Sequence, residues 1–175
     1  MYNKIFLTII LISLSACAGI GIKNSTDPYK KLEYAYDAMH QSRHIPAERL
    51  IKEAIIKFKE SNDKAGLAEA YFTYGNYHKY EFNVKPLIKP SNPVDAVKYY
   101  DMAISLYSET GNRNGMAKSY FGKGNALIFS KKDDACKLYN QALNEYDPDG
   151  EKFLINQSFK TFPDMVNAFI EKFCI

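Results

Sequence analysis

The residues of this chain with reactive side chains do not form a recognisable catalytic or metal-binding set. His40 and His44 are four positions apart, a spacing that places two imidazoles on one side of a helix, as in half of a zinc site. The sequence offers no third ligand and lacks the glutamate of the H-E-x-x-H pattern. We interpret both histidines as solvent-exposed residues near a helix end, and we predict no metal and no cofactor.

Other motifs that would indicate catalysis or nucleic-acid binding are also missing. Gly122, Lys123 and Gly124 lack the preceding strand and the glycine spacing of a phosphate-binding loop. No G-x-S-x-G motif occurs, and no serine, histidine and carboxylate suggest a nucleophile with its base. Lys and Arg outnumber Asp and Glu only by 23 to 20, without a basic block. We therefore predict no enzymatic activity, no small-molecule substrate and no nucleic-acid partner.

The amino-terminal segment has the composition of a signal peptide rather than of a folded element. Lys4 gives it a positive charge, and residues 5–14 form an apolar stretch too short to span a bilayer. The next residues, Leu14-Ser15-Ala16-Cys17, resemble a bacterial lipobox. The resemblance implies a signal peptide over residues 1–16 and a lipidated Cys17 as the first mature residue.

Several acyl chains on Cys17 would hold the mature chain on a membrane, because one chain alone gives only marginal binding. No Asp follows Cys17, which by analogy with enterobacterial sorting implies the outer membrane, with the protein facing the periplasm. Residues 18–27 are small and polar, so residues 17–27 are expected to be a lipid-bearing flexible tether. The alternative is an ordinary secretory signal that is cleaved at Ala16-x-Ala18.

Cys136 and Cys174 are the two remaining cysteines. An oxidising compartment permits a disulfide between them. The sequence does not give the distance between their Cα atoms, which decides whether the bond can form. We expect a buried free thiol at each position.

The chain contains an internal repeat of helical character. Residues 54–80 align with residues 103–129 at a constant offset of 49, with nine identical positions where composition would give roughly one or two. The shared residues are mostly Ala, Gly and aromatic. Such a repeat packs helices closely against one another. It indicates a binding surface rather than a reaction centre.

Apolar residues recur at spacings of three and four, which predicts helices almost throughout. The expected helices span residues 28–43, after the N-cap Asp27, then 47–60, 64–80, 94–108, 113–129 and 133–146, with a last one after Thr161 or Phe162. Three prolines in residues 81–93 predict an insertion that is not helical in its middle. Residues 151–175 are expected to cap the open end of the helical stack.

Three places carry a small residue, a large one four positions on and an alanine three further. They are Ala47-Ile51-Ala54, Ala96-Tyr100-Ala103 and Ala135-Tyr139-Ala142. Two others carry an aromatic residue followed by a glycine, as Tyr71 with Gly75 and Tyr120 with Gly124. These patterns resemble the tetratricopeptide repeat (TPR) family over residues 28–150. The resemblance implies an all-α, TPR-type superhelix of about three helical hairpins plus a C-terminal capping helix.

In the TPR family the first helix of each hairpin lines a concave groove, and an Asn after the glycine often binds a peptide backbone. The resemblance therefore implies partner binding by Asn76 and Asn125. The alternative interpretation is that these amides only join neighbouring helices. Lys79, Glu69 and Lys118 lie on the same face, where mixed charges would suit a mixed peptide or would simply be solvated.

The insertion provides a second candidate contact. Phe82, Leu87 and Ile88 are apolar residues on a proline-rich segment, and apolar loop residues can mark a partner surface. The alternative is that they fold back over the edge of the stack.

These features predict a lipid-anchored, non-catalytic scaffold that binds a protein or peptide, such as an accessory factor of an envelope or secretion machine. The alternative is an immunity lipoprotein that neutralises a toxin, for example a secreted lipase, delivered into the periplasm. An envelope hydrolase and a purely structural spacer are the rivals from other classes. A hydrolase would need an activity that is lost on substitution of one acid or histidine.

Overall fold

A computed structural model describes residues 21, 23–84, 93–153, 155 and 158–175. The described residues form seven helices and no strand: α1 (Pro28–His40), α2 (His44–Glu60), α3 (Lys64–Val84), α4 (Pro93–Thr110), α5 (Arg113–Leu127), α6 (Lys132–Glu145) and α7 (Phe162–Phe173). The predicted all-α class is confirmed. The signal peptide and Cys17 lie outside the described residues.

The helices begin and end at residues whose chemistry favours those boundaries. The predicted N-cap Asp27 accepts a hydrogen bond from the Tyr29 N–H, and Pro28 occupies the first turn of α1. Ser42 has φ 57° in the turn after α1. The first helix therefore ends earlier than the predicted residue 43, and the second begins before the predicted residue 47. Pro46 lies in the first turn of α2, where a missing N–H costs nothing.

The turns that precede α3 and α5 have the same backbone geometry and the same type of helix cap. Asn62 and Gly111 have φ of 54° and 70°, and the next residue in each case caps the helix that follows. Asp63 accepts a hydrogen bond from the Gly66 N–H, and Asn112 accepts one from the Gly115 N–H. The internal repeat therefore extends to the turn geometry.

The predicted insertion is shorter than expected at both ends. Helix α3 continues through residues 81–84, which include Phe82, and α4 already begins at Pro93. A proline disrupts a helix when it lies in the interior of that helix, but it is tolerated in the first turn. Pro93 can therefore begin α4. Leu87 and Ile88 lie outside the described residues, so their proposed contact stays a prediction.

Each helix packs against the next one along the chain, and the first helices of successive pairs, α1 with α3 and α3 with α5, also contact each other. Small side chains occupy these contacts: Ala35, Ala47, Ala54, Ala103 and Ala142 are fully buried. Alanines allow two helix backbones to approach closely, and the buried rings of Tyr100, Tyr107 and Tyr139 fill the remaining space.

Glycines in the first helix of a pair face tyrosine rings of the second helix. A Cβ added to Gly75 would lie 2.8 Å from the Tyr100 ring, and one added to Gly124 would lie 2.6 Å from the Tyr139 ring. The asparagine after each glycine accepts a hydrogen bond from the same tyrosine, at 2.8 Å in both cases. Glycine makes room for the ring, and asparagine satisfies its hydroxyl.

We expect Gly124→Ala to lower the free energy of unfolding by roughly 1–2 kcal/mol, because the added methyl group overlaps the Tyr139 ring. Urea unfolding followed by circular dichroism measures the change. The double variant Gly124→Ala/Tyr139→Leu is the control, since it removes the overlapping ring. Losses that simply add in the double variant would contradict the close packing of these two residues.

Helix α7 begins as the sequence predicts. Thr161 is its N-cap and forms a capping box with Asp164, and Pro163 lies in its first turn. Phe162, Met165 and Val166 are buried against α5 and α6. The carboxyl-terminal half of the helix is half-buried and borders the cleft described below.

Cys136 and Cys174 form a disulfide with a Cα–Cα distance of 5.8 Å. The prediction of two free thiols is therefore wrong. Cys136 lies on α6 and Cys174 is the C-cap residue of α7. The spacing of apolar residues predicts both helices. It does not predict the packing of α6 against α7 that brings the two cysteines together.

None of the helices in the described part of the chain has the length and apolar character needed to cross a membrane.

Candidate binding cleft

The two histidines do not form half of a metal site. His40 ends α1 and is exposed, whereas His44 begins α2 and is only 5 % exposed. A turn separates them, and the His44 ring packs against Tyr77 at 6.2 Å. The expectation that both are exposed is wrong for His44. Among the described residues no group of three or more His, Cys, Asp or Glu could hold a metal ion.

Asn76 is buried and joins three helices. Its Nδ2 donates to the Tyr36 hydroxyl of α1 at 2.5 Å, and its Oδ1 accepts from the Tyr100 hydroxyl of α4 at 2.8 Å. The amide therefore does what the second interpretation of the sequence proposed, namely connect neighbouring helices. A role for Asn76 in partner binding stays a prediction.

Asn125 occupies the equivalent position of the repeat but is only half-buried. Its Oδ1 accepts a hydrogen bond from the Tyr139 hydroxyl at 2.8 Å. Within the described residues its Nδ2 has no hydrogen bond, and the side chain borders a cleft. The Nδ2 amide of Asn76 donates to Tyr36, whereas that of Asn125 has no equivalent hydrogen bond among the described residues.

Glu69 and Lys118 are brought together by the structure. They occupy equivalent positions of the two repeats, and the Lys118 ammonium lies 2.5 Å from a Glu69 carboxylate oxygen. The same oxygen accepts a hydrogen bond from Tyr107, and burial together with Glu69 raises the pKa of that phenol. Lys118 also lies over the Phe72 ring, 4.6 Å from its centre. This network joins α3, α4 and α5, so both charges are engaged within the protein.

A cleft of about 310 Å³ lies where the ends of four helices meet. The carboxyl end of α3, the first turn of α4, the end of α5 with its following turn, and the carboxyl-terminal half of α7 supply its walls. Its lining residues are His78, Lys79, Ala96, Asn125, Ala126, Ile128, Phe129, Ser130, Phe169 and Phe173. The cleft therefore contains two of the predicted site residues, Lys79 and Asn125, and does not contain Asn76, Glu69 or Lys118.

Three phenylalanines form the apolar wall of the cleft. Phe129 is 84 % exposed and meets Phe173 edge to face at 6.1 Å. Phe173 in turn contacts Phe169 at 5.8 Å, and Phe169 contacts the core residue Phe121 at 5.0 Å. A row of rings thus runs from the core to solvent. Phe129 therefore presents an apolar ring to solvent at the rim of the cleft.

Among the described residues, Lys79 is the only lysine or arginine in the lining of the cleft. Burial lowers its pKa from the ordinary 10.5 to about 8, since a charged amine loses hydration when the surroundings exclude water. No carboxylate belongs to the described lining of the cleft.

We expect Lys79→Met to raise the free energy of unfolding at pH 7 by roughly 1–2 kcal/mol, because the folded chain no longer desolvates a charge. The unfolded chain binds more protons than the folded chain between the two pKa values of about 8 and 10.5. Stability of the unsubstituted protein therefore rises with pH over this window, and the advantage of the variant disappears above it.

Urea unfolding at pH 7 and pH 10.5 measures both effects. The exposed Lys30 provides the control, since Lys30→Met should change stability little at either pH. Equal effects of the two substitutions would contradict the burial of the Lys79 amine.

The phenylalanines of this cleft were not predicted from the sequence. Residues 151–175 were expected only to cap the open end of the helical stack, and Phe129 was not a candidate. The useful signal was the phenylalanine at the end of the second repeat, aligned with Tyr80 of the first. The function of that position depends on α7, which lies outside the repeat.

Comparison of the chain with protein-family models, with curated protein sequences and with solved structures returned no match.

Proposed function

We propose that this chain is a non-catalytic binding protein that receives a segment of a partner protein in the cleft between α3, α5 and α7. The observation that carries the proposal is the composition of that cleft. Three phenylalanine rings, of which that of Phe129 is exposed, line a concavity of about 310 Å³ together with Lys79 and Asn125. Concave apolar sites with a few convergent polar groups are the usual form of binding sites.

The proposed architecture is a TPR-type superhelix of three hairpins with α7 as its cap. Two observations support it. The Gly-Asn pair with its tyrosine recurs in two successive helix pairs, and the first helices of neighbouring pairs contact each other. Arrays of this kind expose extended surfaces that bind other proteins.

We further propose that lipid on Cys17 attaches the protein to a bacterial outer membrane, on the periplasmic side. The Leu14-Ser15-Ala16-Cys17 motif supports the attachment. The Cys136–Cys174 disulfide supports an oxidising compartment. At this location the partner would belong to an envelope or secretion machine, for which the protein would be an accessory or assembly factor.

Chemical crosslinking in living cells, followed by purification from solubilised envelopes, tests this function. The proposal predicts that a component of an envelope or secretion machine is recovered with the protein. Recovery of no native partner, together with tight binding of a toxin encoded beside the gene, would instead identify an immunity protein. Hydrolysis of an envelope substrate by the purified chain, lost on substitution of one acid or histidine, would contradict both.

A further inference from the structure

We propose that the edge of the helical stack that carries Ile45 and Val94 lies on the phospholipid surface to which Cys17 is anchored. The inference rests on the proposed lipid attachment and adds the orientation of the folded domain. The two aliphatic side chains would contact the interfacial layer of the bilayer. Because Lys79 and Ala96 line the cleft near the same edge, a partner segment would be bound close to the membrane.

The two aliphatic residues occupy equivalent positions of the internal repeat. Ile45 and Val94 are 49 residues apart, which is the offset of the repeat. Each is the second residue of the second helix in its hairpin, since α2 begins at His44 and α4 begins at Pro93. Ile45 is 76 % exposed and Val94 is 64 % exposed. Single exposed aliphatic residues are ordinary on a protein surface, but their recurrence at one place in two repeats indicates an apolar contact.

Helix contacts place both residues at the same edge of the stack. The start of α2 lies beside the end of α3, where the His44 ring packs against Tyr77 at 6.2 Å. The start of α4 lies beside the same end of α3, where the His78 ring stacks on Tyr99 at 5.3 Å. Val94 precedes Tyr99 by fewer than two helical turns. Both exposed side chains therefore border the carboxyl end of α3.

The apolar contact is limited to the first two hairpins. When the third hairpin is aligned through Ala96 and Ala135, the counterpart of Val94 is Asp133, an exposed carboxylate in the first turn of α6. Phe129 precedes that hairpin's second helix and stays available to a protein partner. The opposite edge of the stack is formed by the turns 61–63 and 111–112, which contain only Ser, Asn, Asp and Gly.

The segment before α1 leads toward the same edge. Its described residues run back along α1 rather than away from it. Near the start of the helix, Asn24 Oδ1 accepts a hydrogen bond from Lys31 Nζ at 2.7 Å. Beyond the end of the helix, a Cβ added to Gly21 would lie 3.8 Å from Nη1 of Arg43. Arg43 directly precedes α2, so the chain reaches the edge that carries Ile45.

The length of chain between this point and the anchor is short. Cys17 lies outside the described residues, and three residues separate it from Gly21, so the two are at most about 14 Å apart. Because the lipid already holds the domain at the surface, a weak apolar contact is enough to orient it. The contact would be shallow, which leaves the exposed Asp95 beside Val94 hydrated among the headgroups.

Nitroxide quenching tests this orientation with the full lipidated chain in vesicles of phosphatidylethanolamine and phosphatidylglycerol. An NBD fluorophore is attached to Ile45→Cys or Val94→Cys, while Cys136 and Cys174 stay oxidised. The same fluorophore on Ile56→Cys, at a position 55 % exposed on α2, is the control. We expect lipid with a nitroxide in its upper acyl chain to quench positions 45 and 94 about threefold more strongly than position 56. Equal quenching at all three positions, including none, or stronger quenching at position 56 would overturn the inference.

A substitution at one position then tests whether the two residues share one contact. With the fluorophore at position 94, Ile45→Asp should lower the quenching about twofold, because the edge loses half of its apolar contact. Ile56→Asp should leave the quenching unchanged. Circular dichroism checks that both variants are folded. Unchanged quenching in a folded Ile45→Asp variant would contradict a shared contact.

Mass spectrometry of the same preparation separates the inference from the proposed function. A mature chain without acyl groups on Cys17 would overturn the proposed attachment and the inference with it. An acylated chain whose fluorophores at positions 45 and 94 are not quenched would overturn the orientation alone. Recovery of a native partner by crosslinking would then leave the binding function standing.

Discussion

Replacing Cys136 and Cys174 together with serine is expected to lower the free energy of unfolding by about 2–4 kcal/mol. The disulfide joins α6 to α7 across 38 residues of sequence, and its loss releases the carboxyl end of α7. The first half of that helix, with Phe162 and Val166, stays anchored in the core. Urea unfolding gives the global change, and hydrogen exchange should show lost protection around residues 169–174 only.

Reduction of the unsubstituted protein with a dithiol is the matching control. It should reproduce the loss of stability, and the same reductant should have no effect on the double serine variant. Equal stability of the oxidised and reduced proteins would contradict the view that this bond holds α7 in place.

Asn76→Ala is expected to lower the free energy of unfolding by about 2–4 kcal/mol, because it removes two hydrogen bonds to tyrosine hydroxyls in a buried contact. Both Tyr36 and Tyr100 hydrogen-bond to this amide, and Asn76 is only 7 % exposed. Thermal and urea unfolding measure the loss.

The equivalent residue of the other repeat provides the control. Asn125 is half-buried and has a single tyrosine partner, Tyr139, so Asn125→Ala should cost less than half as much. We expect it to weaken partner binding instead. If the two substitutions cost the same stability and neither affects binding, the protein is better explained as a structural spacer.

Much of the fold follows from local patterns in the sequence. Asp27 before Pro28 and Thr161 before Pro163 are caps that act within one turn of chain, so they are visible without tertiary information. The apolar spacing of three and four likewise depends on each helix alone. The helix boundaries differ from the predictions mainly around residues 41–46 and 81–93, where a proline was read as a break although a first turn accepts it.

The candidate site was harder to predict from the sequence, because its residues come from segments that are far apart in the chain. Asn76 and Asn125 have the same local sequence, yet one is enclosed by Tyr36 and the other faces a cleft. The difference comes from what packs beyond each repeat, α1 in one case and α7 in the other. The pairing of Cys136 with Cys174 and the burial of His44 have the same origin.

Photocrosslinking from the cleft in living cells tests the central claim most directly. Phe129 is replaced by p-benzoylphenylalanine, and the same substitution at Ile56, which is 55 % exposed, serves as the reference. The account predicts a discrete covalent complex with one partner from position 129 and none from position 56. Crosslinks from position 56 alone, or the same adducts from both positions, would contradict a binding site in this cleft.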